Sequence, residues 1–323
     1  MSKRSGVFDV AIDVRNLLEG EPLQKSKGST MTAEKAITVI TKQMQVSGFR
    51  ERTIKDYRLH WNHFLTVTKL VYLTDITTEV IYSWLGSMDV SNQTKLTRLK
   101  CLKAILTKCF DNGWIKQKFW KSINIKIDKS VKKGSTSDDI ALLISLLDLN
   151  TFIGLRDAVA IITLQKTGIR INTLGQLEEC HVDFDSLTLN LDGTIQKNHK
   201  ILQLPIDEQL AELLHILIQQ NSLIRKRYDK KNNFIFITNK GTSLNTNSTN
   251  NAISKRLNKY GREFGIDNIN PHALRRAYAK NLLNKGADVA LISKALGHSN
   301  LAVTTRYLDL DIEEVATSLR NFL

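Results

Sequence analysis

Between Thr32 and Asn112 apolar residues return every three or four positions, and this period commits the front of the chain to amphipathic helices. The first places Ala36, Val39, Ile40 and Met44 on one face behind Thr32. The second, Thr53 to Val67, does the same with Ile54, Tyr57, Trp61, Phe64 and Leu65. A third spans Thr77 to Met88. A fourth, Ser91 to Asn112, carries Leu96, Leu99, Leu102, Ile105, Leu106 and Cys109. No single helix can bury such a stripe alone, so the four predict a small bundle. With 323 residues in all, a second domain with its own core must follow.

The charge of this front segment is as informative as its period. The chain has a net charge of +14. Between Thr32 and Lys133 stand 19 Lys or Arg against 8 Asp or Glu, so that segment holds most of the excess. A polyanionic partner is implied, and nucleic acid fits best. On the fourth helix Arg98, Lys100, Lys103 and Lys108 are the candidate phosphate contacts, the alternative being a solvated face. No run of eighteen apolar residues occurs, so no membrane partner is expected. The three cysteines, Cys101, Cys109 and Cys180, lack metal-ligand spacing and read as reduced thiols of a cytoplasmic protein. No Walker motif and no carboxylate cluster is present, so neither a nucleotide cofactor nor a metal is expected.

Composition shifts divide the chain. Residues 1–30 read as an N-terminal extension, closing on a flexible Lys-Ser-Lys-Gly-Ser-Thr run. Residues 31–128 form the helical domain, 129–137 a polar, basic linker, and 138–323 a second domain. Ser137 is placed to cap a helix from Asp138 to Leu149. A strongly apolar helix, Arg156 to Thr167, then stops at Gly168 and presents Arg170 from a turn. Leu187, Leu189 and Leu191 lead to Asp192-Gly193, a hairpin signal, with Thr194 to Gln196 and Ile201 to Leu204 as further β runs. A small antiparallel sheet with Lys197 and Lys200 at its second turn is the expectation. Helices from Asp207 to Gln220 and Ser248 to Phe264 follow, separated by Arg225-Lys226-Arg227 and a β-like Phe234 to Ile237. Pro271 opens another helix; Asp288 to Leu296 and a short helix capped by Ser299 lead to Tyr307. Ile312, Val315, Leu319 and Phe322 then recur at helical spacing. The fold class is therefore mainly α with a small antiparallel sheet.

The stretch from Pro271 to Leu310 carries the chemistry. His272 and Arg275 are three apart and share a helix face, His298 follows a glycine, and Tyr307 comes nine residues later. Cleaving a phosphodiester without metal requires donors for the non-bridging oxygens, a group to manage the nucleophile's proton, and an oxygen nucleophile that survives as an ester. Arginine, histidine and tyrosine supply all three.

His-x-x-Arg, Leu-Gly-His and a tyrosine at this distance resemble the second signature box of the tyrosine recombinases, the family of phage integrases and Xer-type resolvases. Thr167-Gly168-Ile169-Arg170 resembles the first box. The acid usual a few residues later is replaced by Thr173, and the histidine often found after the second arginine by Arg276. The resemblance implies a helical core-binding domain in residues 31–128 and an α+β catalytic domain in 138–323, ending in an exchange helix. It implies Arg170, Lys197, His272, Arg275, His298 and Tyr307 as the catalytic set, with Lys200 the alternative to Lys197.

In such an enzyme Tyr307 would attack DNA to give a 3′-phosphotyrosyl link. Arg170 and Arg275 would clamp the phosphate, and His272 would act as base or donor. His298 would donate to the phosphate, and Lys197 would protonate the departing oxygen. The implied partners are double-stranded DNA with inverted half-sites, three further copies in a tetramer joined through the C-terminal helix, and accessory DNA-bending proteins. Integration or excision of a mobile element is the favoured role. Xer-type dimer resolution, a type IB topoisomerase and a non-catalytic DNA-binding regulator on the same frame are the alternatives.

Overall fold

The computed structural model describes residues 31–127, 133–196, 199–244, 251–298 and 300–308, the side chains of residues 306 and 307 excepted. The chain divides into two compact units, 1–129 and 130–323.

In the first unit the four amphipathic segments are helices: α1 (Ala33–Val46), α2 (Glu51–Thr68), α3 (Thr78–Gly86) and α4 (Asn92–Asp111). Thr32, Thr77 and Ser91 cap three of them, each side-chain oxygen accepting from the backbone N–H three residues on. Helix α2 packs on α1, α3 and α4. The stripes meet over Trp61, Phe64, Trp84 and Leu102, all essentially inaccessible. Phe64 and Trp84 meet edge to face with centroids 5.2 Å apart. The indole of Trp61 donates to the Ala33 carbonyl at 3.2 Å, so the buried N–H has a partner.

The second unit is built on α6 (Phe152–Thr167), which follows α5 (Ser137–Ser145). Helix α6 is buried on nearly every side, with Val159, Ala160, Ile161 and Leu164 at 0% exposure, which is why its sequence shows almost no polar face. A single turn, α7 (Ile171–Leu174), leads to the sheet. Strands β1 (Val182–Asp183), β2 (Thr188–Leu191) and β3 (Leu202–Pro205) are antiparallel in the order β1-β2-β3, with Val182 opposite Leu189 and Leu189 opposite Leu204. Helices α8 (Glu208–Tyr228), α9 (Ala252–Glu263), α10 (Pro271–Asn284), α11 (Val289–Ala295) and α12 (Leu301–Leu308) complete it. Helices α8, α9 and α10 pack on α6, and α12 packs on α10 and α11.

Four local expectations are corrected. Thr136, not Ser137, caps α5, accepting from the Asp139 N–H at 3.0 Å, and the helix ends at Ser145. Asp192-Gly193 is not a two-residue hairpin turn. The Asp192 carboxylate instead accepts from the Thr194 and Ile195 N–H groups, starting a longer β2–β3 connection in which 194–196 is no strand. Hydrogen bonds, chiefly from Thr194, depress its pKa to about 2. Helix α8 runs on through Arg225-Lys226-Arg227 to Tyr228. The Phe234–Ile237 run makes only isolated bridges, Glu178 with Phe234 and Ile237 with Ser243. Arg225 explains both last points: from the end of α8 it pairs with Glu179 at 2.6 Å and donates to the Phe234 carbonyl at 2.5 Å.

Residues 133–136, expected within the linker, lie along α10. Asn268 donates to the Lys133 and Gly134 carbonyls at 2.8 and 2.9 Å, and Arg276 reaches the Lys133 carbonyl at 2.9 Å. Arg276 thus anchors the start of the second unit. Residues 1–30, the tail from 309 to 323 with its amphipathic pattern, and the Ser299 cap lie outside the described residues.

Candidate active site

Three helix ends converge in the second unit. Helix α6 terminates at Gly168, whose φ of 61° lies in the left-handed region and whose N–H closes on the Leu164 carbonyl. A Cβ at position 168 would overlap the Tyr278 ring, so glycine is required twice over. The chain then turns, and Arg170 stands at the N-cap of α7 with Nη2 3.2 Å from the Gly297 carbonyl. From α10, Arg275 donates to the carbonyls of Gly168 and Leu296 and lies 3.2 Å from His298 Nε2.

Arg275 is 3% exposed. A guanidinium so far from water needs fixed acceptors, and the carbonyls just past the C-termini of α6 and α11 supply them at the negative ends of two helices. The fork is held rigid by backbone rather than by long side chains, a preorganised donor array for an anion. His298, half-buried beyond the end of α11, completes the group; its Nδ1 is 2.9 Å from Thr304 Oγ1 on α12. Burial first, and then the charges of Arg275 and Arg170, push the His298 pKa down to about 4. At neutral pH the ring is therefore uncharged.

The structure brings together Arg170, Arg275 and His298. His272 lies in the first turn of α10, one turn before Arg275, and is exposed. Lys200 is exposed on the β2–β3 connection and, with His298, Tyr278 and Lys294, lines a cavity of about 610 Å³. Lys197 lies outside the described residues. Tyr307 is the penultimate residue of α12, and its backbone alone is described. Thr173, at the position where an acid was expected, donates to the Ile195 carbonyl at 3.1 Å and so ties α7 to the β2–β3 connection. Among the described residues no group of three or more His, Cys, Asp or Glu is arranged to hold a metal.

Sequence reasoning missed two residues here. Thr304 touches His298, and its only signal was its place on the helix that bears Tyr307. Tyr278 closes over Gly168, and the spacing of three from Arg275 was the available hint.

On the first unit, the four basic residues of α4 differ in what they touch. Arg98 Nη1 lies 2.9 Å from His63 Nε2 and 3.5 Å from Met88 Sδ. Lys103 donates to the carbonyls of Lys121 and Ile123 at 3.3 and 2.5 Å, and Lys108 sits over the Phe49 ring at 5.1 Å. Lys100 is exposed. Three of the four candidate phosphate contacts, Arg98, Lys103 and Lys108, therefore already engage their own unit.

Comparison with known proteins supports the same assignment. The chain is 25% identical to the tyrosine recombinase XerC of Thermodesulfovibrio yellowstonii over 278 residues, 83% of this chain and 89% of the relative. It is 31% identical to the XerC of Actinobacillus succinogenes over 167 residues, 51% of this chain and 53% of the relative. In fold it is similar to a lambda integrase tetramer bound to a Holliday junction, with a TM-score of 0.69 at 14% identity over 91% of this chain and 83% of that one. It is also similar to the Tn1549 transposon integrase in complex with a circular intermediate DNA, with a TM-score of 0.68 at 15% identity over 88% of this chain and 99% of that one. Residues 135–314, more than half of the chain, match the phage integrase family. The match spans the turn of Arg170, the α10 arginine and the His298–Tyr307 segment, and the chain belongs to the phage integrase family of tyrosine-type site-specific recombinases.

Proposed function

We propose that this recombinase integrates and excises a mobile DNA element, cutting each strand through a 3′-phosphotyrosyl intermediate at Tyr307. The observation that carries the cleavage chemistry is the convergence of Arg170, Arg275 and His298 beside α12, the helix on which Tyr307 lies. Two forked cations suit the non-bridging oxygens of one phosphodiester, and they strengthen as charge builds on the phosphorus centre. Attack by the Tyr307 oxygen forms one P–O ester and breaks the bond to the 5′-oxygen, which leaves with a proton from a lysine of the β2–β3 connection, Lys197 or Lys200. His272 takes the phenolic proton or binds the phosphate. The new ester conserves the energy of the broken one, so religation needs no added nucleotide.

DNA with inverted half-sites is the proposed substrate, four copies the proposed assembly, and residues 309–323 the segment exchanged between neighbours. Bending proteins would bring distant sites together. DNA flanking the reading frame is the source of test substrates: nicked duplexes from it should trap a denaturant-resistant protein–DNA adduct, absent with Tyr307→Phe. Relaxation of supercoils without any sequence preference would instead place the protein among type IB topoisomerases.

A further inference from the structure

His298 stands between a group that can only donate and a hydroxyl that can do either. Arg275 Nη2 has hydrogens and no available lone pair, so at 3.2 Å the His298 Nε2 must accept. The proton of the neutral ring then belongs on Nδ1, which faces Thr304 Oγ1 at 2.9 Å. Thr304 is at 0% exposure, so no bulk water competes for that contact. It also precedes Tyr307 by three residues on α12 and shares its face of the helix.

We propose that Thr304 is a positioning residue for strand cleavage: by accepting from Nδ1–H of His298 it holds the ring with Nε2 turned toward Arg275, the nitrogen at which the ring gains and loses its second proton. The proposal rests on the recombinase reading above. The hydroxyl accepts from Nδ1–H whether the ring is neutral or cationic, so this contact survives a change of protonation state. A phosphate seated between Arg170, Arg275 and His298 brings the negative charge that favours imidazolium. The Arg275 Nη2–H then turns from the ring to a phosphate oxygen, a proton from solvent takes its place on Nε2, and Nε2–H donates a hydrogen bond to the phosphate. The other ionisable groups lining the same cavity are Tyr278 on α10, Lys294 on α11 and Lys200 on the β2–β3 connection. The hydrogen bond to Thr304 therefore holds the ring that Arg275 sets in its Nδ1–H form, and ties the helix of Tyr307 to the phosphate clamp.

Thr304→Val keeps the shape and removes the hydroxyl; Thr304→Ser keeps the hydroxyl. Imidazole ¹⁵N spectra of the full-length protein and single-turnover cleavage of nicked flanking-sequence DNA across pH 5 to 8 would be compared for both. In Thr304→Val the His298 Nδ1 should lose its hydrogen-bonded ¹⁵N shift while Nε2, still facing Arg275, stays the acceptor, cleavage should fall about 10- to 100-fold, the scale of contacts that orient a histidine, and the acid limb of the pH profile should move. Thr304→Ser should restore all three. A Val variant with the parental ¹⁵N pattern and rate, or a Ser variant as impaired as Val, overturns the proposal. If the unsubstituted protein forms no adduct on any flanking DNA, the recombinase reading is what fails, and the ¹⁵N arm still decides the role of Thr304.

Discussion

Gly168 and Tyr278 approach so closely that the ring occupies the space a Cβ at position 168 would need. The glycine is also held at a φ of 61° and offers its carbonyl to Arg275. Gly168→Ala should therefore destabilise the second unit by about 2–4 kcal/mol, summing a left-handed penalty and an overpacked contact. Because all four tryptophans lie in the first unit, amide hydrogen exchange of α6 and α10 at increasing urea would measure it. A loss below about 0.5 kcal/mol would show that the turn and Tyr278 give way easily.

A second stability prediction concerns Asp157, which is 2% exposed and accepts from Arg156, Arg256 and the Tyr260 hydroxyl, joining α6 to α9. Removing the carboxylate strands charges that burial has separated from water. Asp157→Ala should cost about 3–5 kcal/mol, whereas Tyr260→Phe, which removes a neutral hydroxyl that donates to Asp157 and accepts from Arg256, should cost less, about 1.5–3 kcal/mol. Equal losses in the two variants would contradict this ordering.

The depressed pKa of His298 gives a signed pH dependence. Its folded value, about 4, lies below the ordinary 6.5, so between those two pH values the unfolded chain binds a proton that the native chain refuses. Stability contributed by the neutral ring is complete above about pH 6.5, declines as pH falls through the window, and levels off below about pH 4. His60 and His63 are lowered in the same direction, chiefly by burial. The comparison that isolates His298 is therefore the change in urea midpoint between pH 7 and 4.5 in the parent and in His298→Gln. The variant should lose less on acidification; an equal loss would mean that the ring titrates normally.

Arg170 should be sensitive to the shape of its charge. Arg170→Lys keeps the charge but gives up the planar fork, and adduct formation should fall about 100-fold or more while DNA affinity changes little. Gel shifts and single-turnover cleavage on the same substrate separate the two effects, and a parallel loss of affinity would reassign the residue to binding.

The two lysines of α4 make a matched contrast. Lys100→Ala should leave unfolding unchanged and, as a lost phosphate contact, lower the slope of log affinity against log salt by about 1. Lys103→Met should destabilise the first unit by about 1–3 kcal/mol, because the carbonyls of Lys121 and Ile123 lose their donor. A salt slope unaltered in Lys100→Ala would remove it from the DNA-binding face.

The elements that could be read in advance are those whose signals are local. Thr32, Thr77, Asp207 and Asp288 cap the helices that follow them, and Pro271 opens α10, because a cap or a fixed φ acts within one turn. One misreading came from partners distant in sequence. Arg225 looked like a break in α8 because its acceptors, Glu179 and Phe234, lie across the unit. Asp192-Gly193 carries the composition of a tight hairpin, but its carboxylate serves Thr194 instead. In the site, the spacing of the two boxes was enough to nominate Arg170, Arg275 and His298. The link through Thr304 was hidden because threonine on a helix usually bonds to its own backbone, as Thr163 does to Val159.

Arg170, Arg275 and His298 come from three separate helical segments, and the first and last are 128 positions apart in the chain. No shorter stretch of polypeptide contains the group. During synthesis the segment bearing Arg170 leaves the ribosome well before α10 and α11 exist to complete its surroundings. A truncated or half-folded copy lacks this geometry, which is complete only when the last helices dock.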